Sequence, residues 1–117
     1  MKKNFEVELL GEAVAFLEDL DDKARNKIYY NIRKAQHVQD KELFKKLNDN
    51  IWEFRTLFNG KAYRLFAFWD KSKNTEIVVI STHGILKKTQ KTPTKEITKA
   101  EKLRTEYLNQ KKDEKGK

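Results

Sequence analysis

No cysteine occurs among the 117 residues, which excludes both a disulfide framework and a thiolate zinc site and is compatible with a reducing compartment. Nowhere do 18 apolar residues run together, and the start, Met1-Lys2-Lys3-Asn4-Phe5-Glu6, lacks the apolar core of a signal peptide. A cytoplasmic protein without a membrane span is therefore expected. Only two histidines are present, His37 and His83, far apart in sequence. GxSxG, P-loop and HExxH patterns are all missing, so the familiar hydrolase, nucleotide and zinc-enzyme signatures are absent, and neither a cofactor nor a metal is expected. There is no internal repeat and no interdomain linker.

What remains is one small domain with an uneven charge. Hydrophobic residues make up 38%, and two Trp, four Tyr and seven Phe supply a core. A single domain over 1–110 is expected, followed by a charged, aperiodic tail at 111–117 that frays. Residues 1–50 hold ten Lys/Arg against ten Asp/Glu, while residues 51–117 hold sixteen against eight, so the net +8 lies in the second part. Such asymmetry fits a polyanion partner, because each neutralised phosphate releases counterions. Solubility and a basic tail are the plain alternative.

The elements can be read from periodicity. Phe5, Val7 and Leu9 alternate with glutamates as in a half-buried strand. Ala13, Phe16, Leu17 and Leu20 recur at helical spacing, and Asp21-Asp22 can cap a second helix carrying Ala24, Ile28, Ile32 and Ala35. A polar connection around 37–42 leads to three strands at 51–58, 62–69 and 75–83. Asn59-Gly60 predicts a tight hairpin between the first two, and the segment 70–74 can close the next, so the three are antiparallel neighbours. Thr92 and Pro93 can cap and start a last helix with Ile97, Ala100, Leu103 or Arg104, and Tyr107 on its inner stripe. The predicted class is α+β, with helices on one sheet face and the other face free to bind.

The stretch from His83 to Pro93, His-Gly-Ile-Leu-Lys-Lys-Thr-Gln-Lys-Thr-Pro, feeds an apolar run into a cationic segment suited to phosphate. Lys87, Lys88 and Lys91 are candidate RNA contacts, and Thr89, Gln90 and Thr92 add hydrogen-bonding groups. Pairing across the Asn59-Gly60 turn sets Arg55 opposite Arg64. Like charges so placed need an anion between them: a scissile phosphate, or Glu53 on the same face. Arg64 is expected to be exposed, and so replaceable without loss of stability. Alternation puts His83 with Ile77, Val79 and Ser81. Its ordinary pKa suits acid or base work, although a lone strand-end histidine is more often structural. Tyr63, Trp69 and Tyr107 could stack on bases or fill the core.

Leu47 to Arg55, Tyr63-Arg64, His83-Gly84 and Lys87 to Pro93, in that order, resemble the HigB-like toxins of the RelE/ParE superfamily, particularly the phage-derived branch. The resemblance covers about 43–108. Asn50 departs from it where glycine is common, and Ile85 where an aromatic is common. It implies a RelE-like fold, with an N-terminal strand and helical hairpin on a mainly antiparallel sheet and a C-terminal helix. It also implies a type II toxin that cuts mRNA on the ribosome and is silenced by an antitoxin from the neighbouring gene. Metal-free RNA cleavage needs a base for the 2′-hydroxyl, a stabiliser for the phosphorane charge and an acid for the 5′-oxygen. Arg55, Arg64, His83, Lys88 and Lys91 are the candidates for these roles, with Lys87, Thr89, Gln90 and Thr92 contacting RNA or ribosome. Two rivals stand beside this reading: a ParE-like toxin that inhibits gyrase by binding alone, and an inactive basic RNA-binding module.

Overall fold

Alternation and helical spacing place most of the elements where the sequence predicts them. The computed structural model describes residues 3–72, 77–87 and 91–115. In chain order these form β1 (Glu6–Leu9), α1 (Gly11–Glu18), α2 (Asp22–His37), β2 (Phe44–Lys46), β3 (Trp52–Phe58), β4 (Lys61–Asp70), β5 (Val78–Lys87) and α3 (Thr94–Lys115). The class is α+β, consistent with a RelE-like fold. The sheet order is β1-β5-β4-β3-β2, with β1 parallel to β5 and every other pair antiparallel. Asn59 and Gly60 both adopt positive φ, 53° and 71°, which gives the hairpin the twist of its strands. The Asp21 carboxylate accepts from the Ala24 amide at 2.8 Å, capping α2 as expected.

Several boundaries differ from the sequence reading. β2 has only three residues and was not predicted, because so short a strand offers no periodicity to detect. β5 continues past His83 to Lys87, so the start of the predicted cationic loop is strand. α3 begins at Thr94, and the Pro93 carbonyl accepts from Glu96 N at 3.0 Å, while the Thr92 side chain goes elsewhere. The helix also runs past Lys111 to Lys115.

The larger correction concerns the second sheet face. α1 and α2 cover one face, packing Ala13, Leu17, Ile28 and Ile32 onto Phe54, Tyr63, Leu65, Ala67 and Val79. α3 covers much of the other, where Ile97, Ala100 and Tyr107 meet Ile51, Phe66, Phe68, Val78 and Ile80. One buried carboxylate ties it down. The Tyr107 hydroxyl and Lys111 ammonium donate to Asp70 Oδ2 at 2.8 and 2.7 Å, and the Ser72 hydroxyl donates to Oδ1 at 2.6 Å. Burial alone would raise the Asp70 carboxyl, but these bonds outweigh it and hold it well below the usual carboxylate range. Toward the Asn59-Gly60 hairpin the same face stays accessible, with Leu57 72% exposed and Arg55 and Lys87 half-buried.

Candidate functional site

On that accessible part, alternation brings Glu53 and Arg55 of β3, Arg64 of β4, and Ile85 and Lys87 of β5 to one surface. Arg55 pairs directly with Arg64, as predicted, and Lys45 of β2 pairs with Glu53. Two guanidinium groups so placed repel each other. Glu53 relieves them: its Oε1 lies 3.1 Å from Arg64 Nε and 3.5 Å from Arg55 Nε, and the Thr92 hydroxyl donates to its Oε2 at 3.1 Å. The acid weighed against a phosphate is therefore the one present between the arginines. Neither Nε–H points at the carboxylate well enough to hydrogen-bond, so both remain buried without such a partner among the described residues. The contact is charge pairing. Elsewhere, Arg64 Nη1 donates to the Tyr63 carbonyl at 3.1 Å, and Arg55 Nη1 to the Lys41 carbonyl at 3.3 Å.

Arg64 is 7% exposed, which corrects the expectation of an exposed arginine. Burial pushes its guanidinium below its ordinary value; Glu53 opposes the shift and Arg55 reinforces it. Lys87 moves the same way, first through burial and then through the neighbouring Arg64 guanidinium, with Glu53 again opposing. A lysine below its usual value holds its proton less tightly, which suits it to proton transfer. Around the Glu53 carboxylate the fold thus gathers Arg55, Arg64, Lys87 and Lys45, an unbalanced cationic patch that would attract an anion.

His83 lies elsewhere than alternation predicts. Phe66 pairs with His83 and Ala67 with Ser81, so Thr82 is an extra residue in β5. This bulge turns His83 away from the face of Val79 and Ser81 and onto that of Arg64 and Phe66. There it stacks on Phe66 with ring centroids 4.8 Å apart and is 3% exposed. Its Nδ1 lies 3.0 Å from the Thr82 hydroxyl and its Nε2 lies 3.2 Å from Glu96 Oε1. Burial lowers its pKa and Lys99 adds to the shift, against the pull of Glu96. Nε2–H donates to the Glu96 carboxylate, and the Thr82 hydroxyl beside Nδ1 also donates to the Phe66 carbonyl at 3.4 Å. With both nitrogens occupied, His83 holds α3 on β5 rather than facing a substrate.

Of the other sequence candidates, Lys91 is exposed and Thr92 is turned inward to Glu53, while Lys88, Thr89 and Gln90 lie outside the described residues. Tyr63 is buried under the helical hairpin, Trp69 packs into the same core, and Tyr107 is held by Asp70. Asn50 is not in the left-handed region; the Asn48 side chain accepts from its amide at 2.9 Å and shapes that turn. Ile85 packs against the α3-side core. Sequence reasoning undervalued Glu53 at the centre, although its spacing from Arg55 signals a shared face. It missed Lys45 because β2 was not predicted. Among the described residues no three His, Cys, Asp or Glu side chains converge as metal ligands, and no helix is long and apolar enough to cross a membrane.

The family model for Phage derived protein Gp49-like (DUF891) matches residues 15–105, a span that holds Lys45, Glu53, Arg55, Arg64, His83 and Lys87. No curated protein matches the chain.

Proposed function

The chain belongs to the phage-derived Gp49-like family, a RelE/HigB-like toxin family, and on that premise we propose that it is the toxin of a type II toxin-antitoxin system that cuts mRNA on the ribosome. The observation that carries the reading is the arginine pair: Arg55 and Arg64 stand opposite each other at the open end of a face otherwise covered by α3. A phosphate bound beside them would meet two guanidinium groups and a half-buried lysine. In the proposed reaction the 2′-hydroxyl passes its proton to a water molecule and attacks the adjacent phosphorus, and the bond to the 5′-oxygen breaks. Arg55 and Arg64 stabilise the charge on the phosphorane oxygens. The Lys87 ammonium, weakened by burial and by Arg64, donates a proton to the departing 5′-oxygen. Glu53 acts as a positioning residue, fixing both arginines before substrate arrives.

Lys88 and Lys91 remain proposed as further catalytic cations, with Thr89, Gln90 and Thr92 as RNA or ribosome contacts. The accessible patch is small and carries few groups able to read bases, so free RNA should bind weakly and the ribosome should supply the positioning. An antitoxin is the proposed silencing partner. Incubating purified protein with naked mRNA and with the same mRNA under translation, followed by 5′-end mapping, tests the reading. Cuts confined to translated mRNA support it; equal cutting of both would point to a self-sufficient ribonuclease, and no cutting at all to a binding-type toxin or an inactive module.

A further inference from the structure

Across the sheet from the arginines, an apolar cavity of about 410 Å³ opens beside the end of α2. Phe5, Ala35, Val38, Phe44, Trp52 and Trp69 form its apolar wall. The rings are fixed by one another: Phe44 and Trp52 stack with centroids 4.8 Å apart, and Trp52 meets Trp69 edge-on at 5.7 Å. A cavity walled by rigid rings keeps its shape when empty, which favours occupation by an apolar group. Val38 stands at its mouth, 40% exposed, and also lines a shallower cleft with Tyr30, Arg33, Lys34 and His37. Tyr30 is 51% exposed, so an apolar track leads from the helix surface into the cavity.

Along α2 the rim of this track is cationic, while at the cavity itself Asp40 and Lys41 stand side by side. α2 carries five Lys/Arg against one Asp, and Arg33 and Lys34 are exposed beside the cleft. His37 Nδ1 is buried there with no hydrogen-bond partner among the described residues. The even charge balance of residues 1–50 hides this concentration, because the acidic side chains lie mostly on other elements. An apolar track with a basic rim matches an acidic polypeptide with an apolar anchor.

We propose that this cleft is the docking site of the silencing partner: an acidic segment lies along Arg33 and Lys34 and seats one large apolar side chain in the cavity. The proposal rests on the toxin reading above, which calls for such a partner. It adds that the partner binds on the face away from the RNA-cutting patch. The two are nonetheless linked through one turn. Lys41 lines the cavity, its carbonyl accepts from Arg55 Nη1 at 3.3 Å, and the neighbouring Leu43 carbonyl accepts from Arg55 N at 2.8 Å. A side chain seated against Lys41 therefore acts on the segment that holds Arg55, and can silence the patch without covering it.

The probe is the product of the reading frame adjacent to this gene, titrated against wild-type protein, Val38→Asp, the double variant Arg33→Glu with Lys34→Glu, and Lys45→Glu on the opposite face. Both cleft variants change exposed side chains, so folding and cutting of translated mRNA are expected to be unchanged. Their affinity for the probe should fall about tenfold or more, whereas Lys45→Glu should bind like wild type. The chain's two tryptophans, Trp52 and Trp69, both line the cavity, so binding should also shift their emission in the wild type. Wild-type affinity in both cleft variants, or loss confined to Lys45→Glu, would overturn the docking site. So would a probe that fails to bind the wild type. The cutting assay on the same free proteins decides separately whether the nuclease reading survives.

Discussion

At 2% exposure the Glu53 carboxylate has little water to solvate it, and its nearest support comes from Arg64 at 3.1 Å, Arg55 at 3.5 Å and the Thr92 hydroxyl. Removing one partner of a buried pair is costly because the other charge is stranded. Arg64→Ala should therefore cost about 3 kcal/mol in urea unfolding, besides abolishing cleavage. Unchanged stability would mean that Arg55 alone compensates Glu53. His83 gives a second test. Its folded pKa is depressed, so its contribution is complete above the unfolded value of about 6.5 and is lost as pH falls from there toward the folded value. His83→Phe keeps the ring on Phe66 but cannot titrate, so wild type should lose stability more steeply than the variant between about pH 7 and 5. Parallel slopes would show that folding leaves the His83 pKa where it stands in the unfolded chain.

A Cβ added at Gly84 would lie 2.3 Å from Phe16, so α1 packs on β5 only because this residue has no side chain. Gly84→Ala should destabilise by about 2 kcal/mol and loosen α1, measurable by urea melts and by faster amide exchange in 11–18. Wild-type stability would mean that the Phe16 ring rotates clear. Elements of this kind were legible where one pattern persisted: the α2 stripe, the β3-β4 hairpin and the Arg55–Arg64 register all follow from spacing. The Thr82 bulge was not, since one inserted residue inverts every later face of β5 while leaving the sequence alternation intact. Nor was the place of α3, whose apolar stripe shows that it packs but not on which face. Glu53 was readable as a neighbour of the arginines, but its burial depended on α3 and Thr92 arriving above it.

At the scale of the whole molecule, cationic side chains gather on both sheet faces. Lys45, Arg55, Arg64 and Lys87 crowd the open end of one face, while Arg33 and Lys34 mark the cleft on the other. α3 is fixed to its own face along its length: Tyr107 and Lys111 hold its later turns to Asp70, Glu96 holds its start to His83, and Thr92 just before it touches Glu53. The proposed RNA-cutting patch and the proposed partner cleft thus lie on opposite sides of the sheet, and the turn that carries Lys41 touches both through Arg55. The chemistry assigned to the first side has a direct signature, because attack by the 2′-hydroxyl leaves a cyclic phosphate on one fragment and a free 5′-hydroxyl on the other. The decisive measurement is mass analysis of fragment ends from translated mRNA treated with wild-type protein and with folded Arg55→Ala. Wild type should yield 2′,3′-cyclic phosphate and 5′-hydroxyl ends and Arg55→Ala almost none; intact mRNA with wild type, 5′-phosphate ends, or undiminished cutting by Arg55→Ala would contradict the assignment of the arginine pair to RNA cleavage.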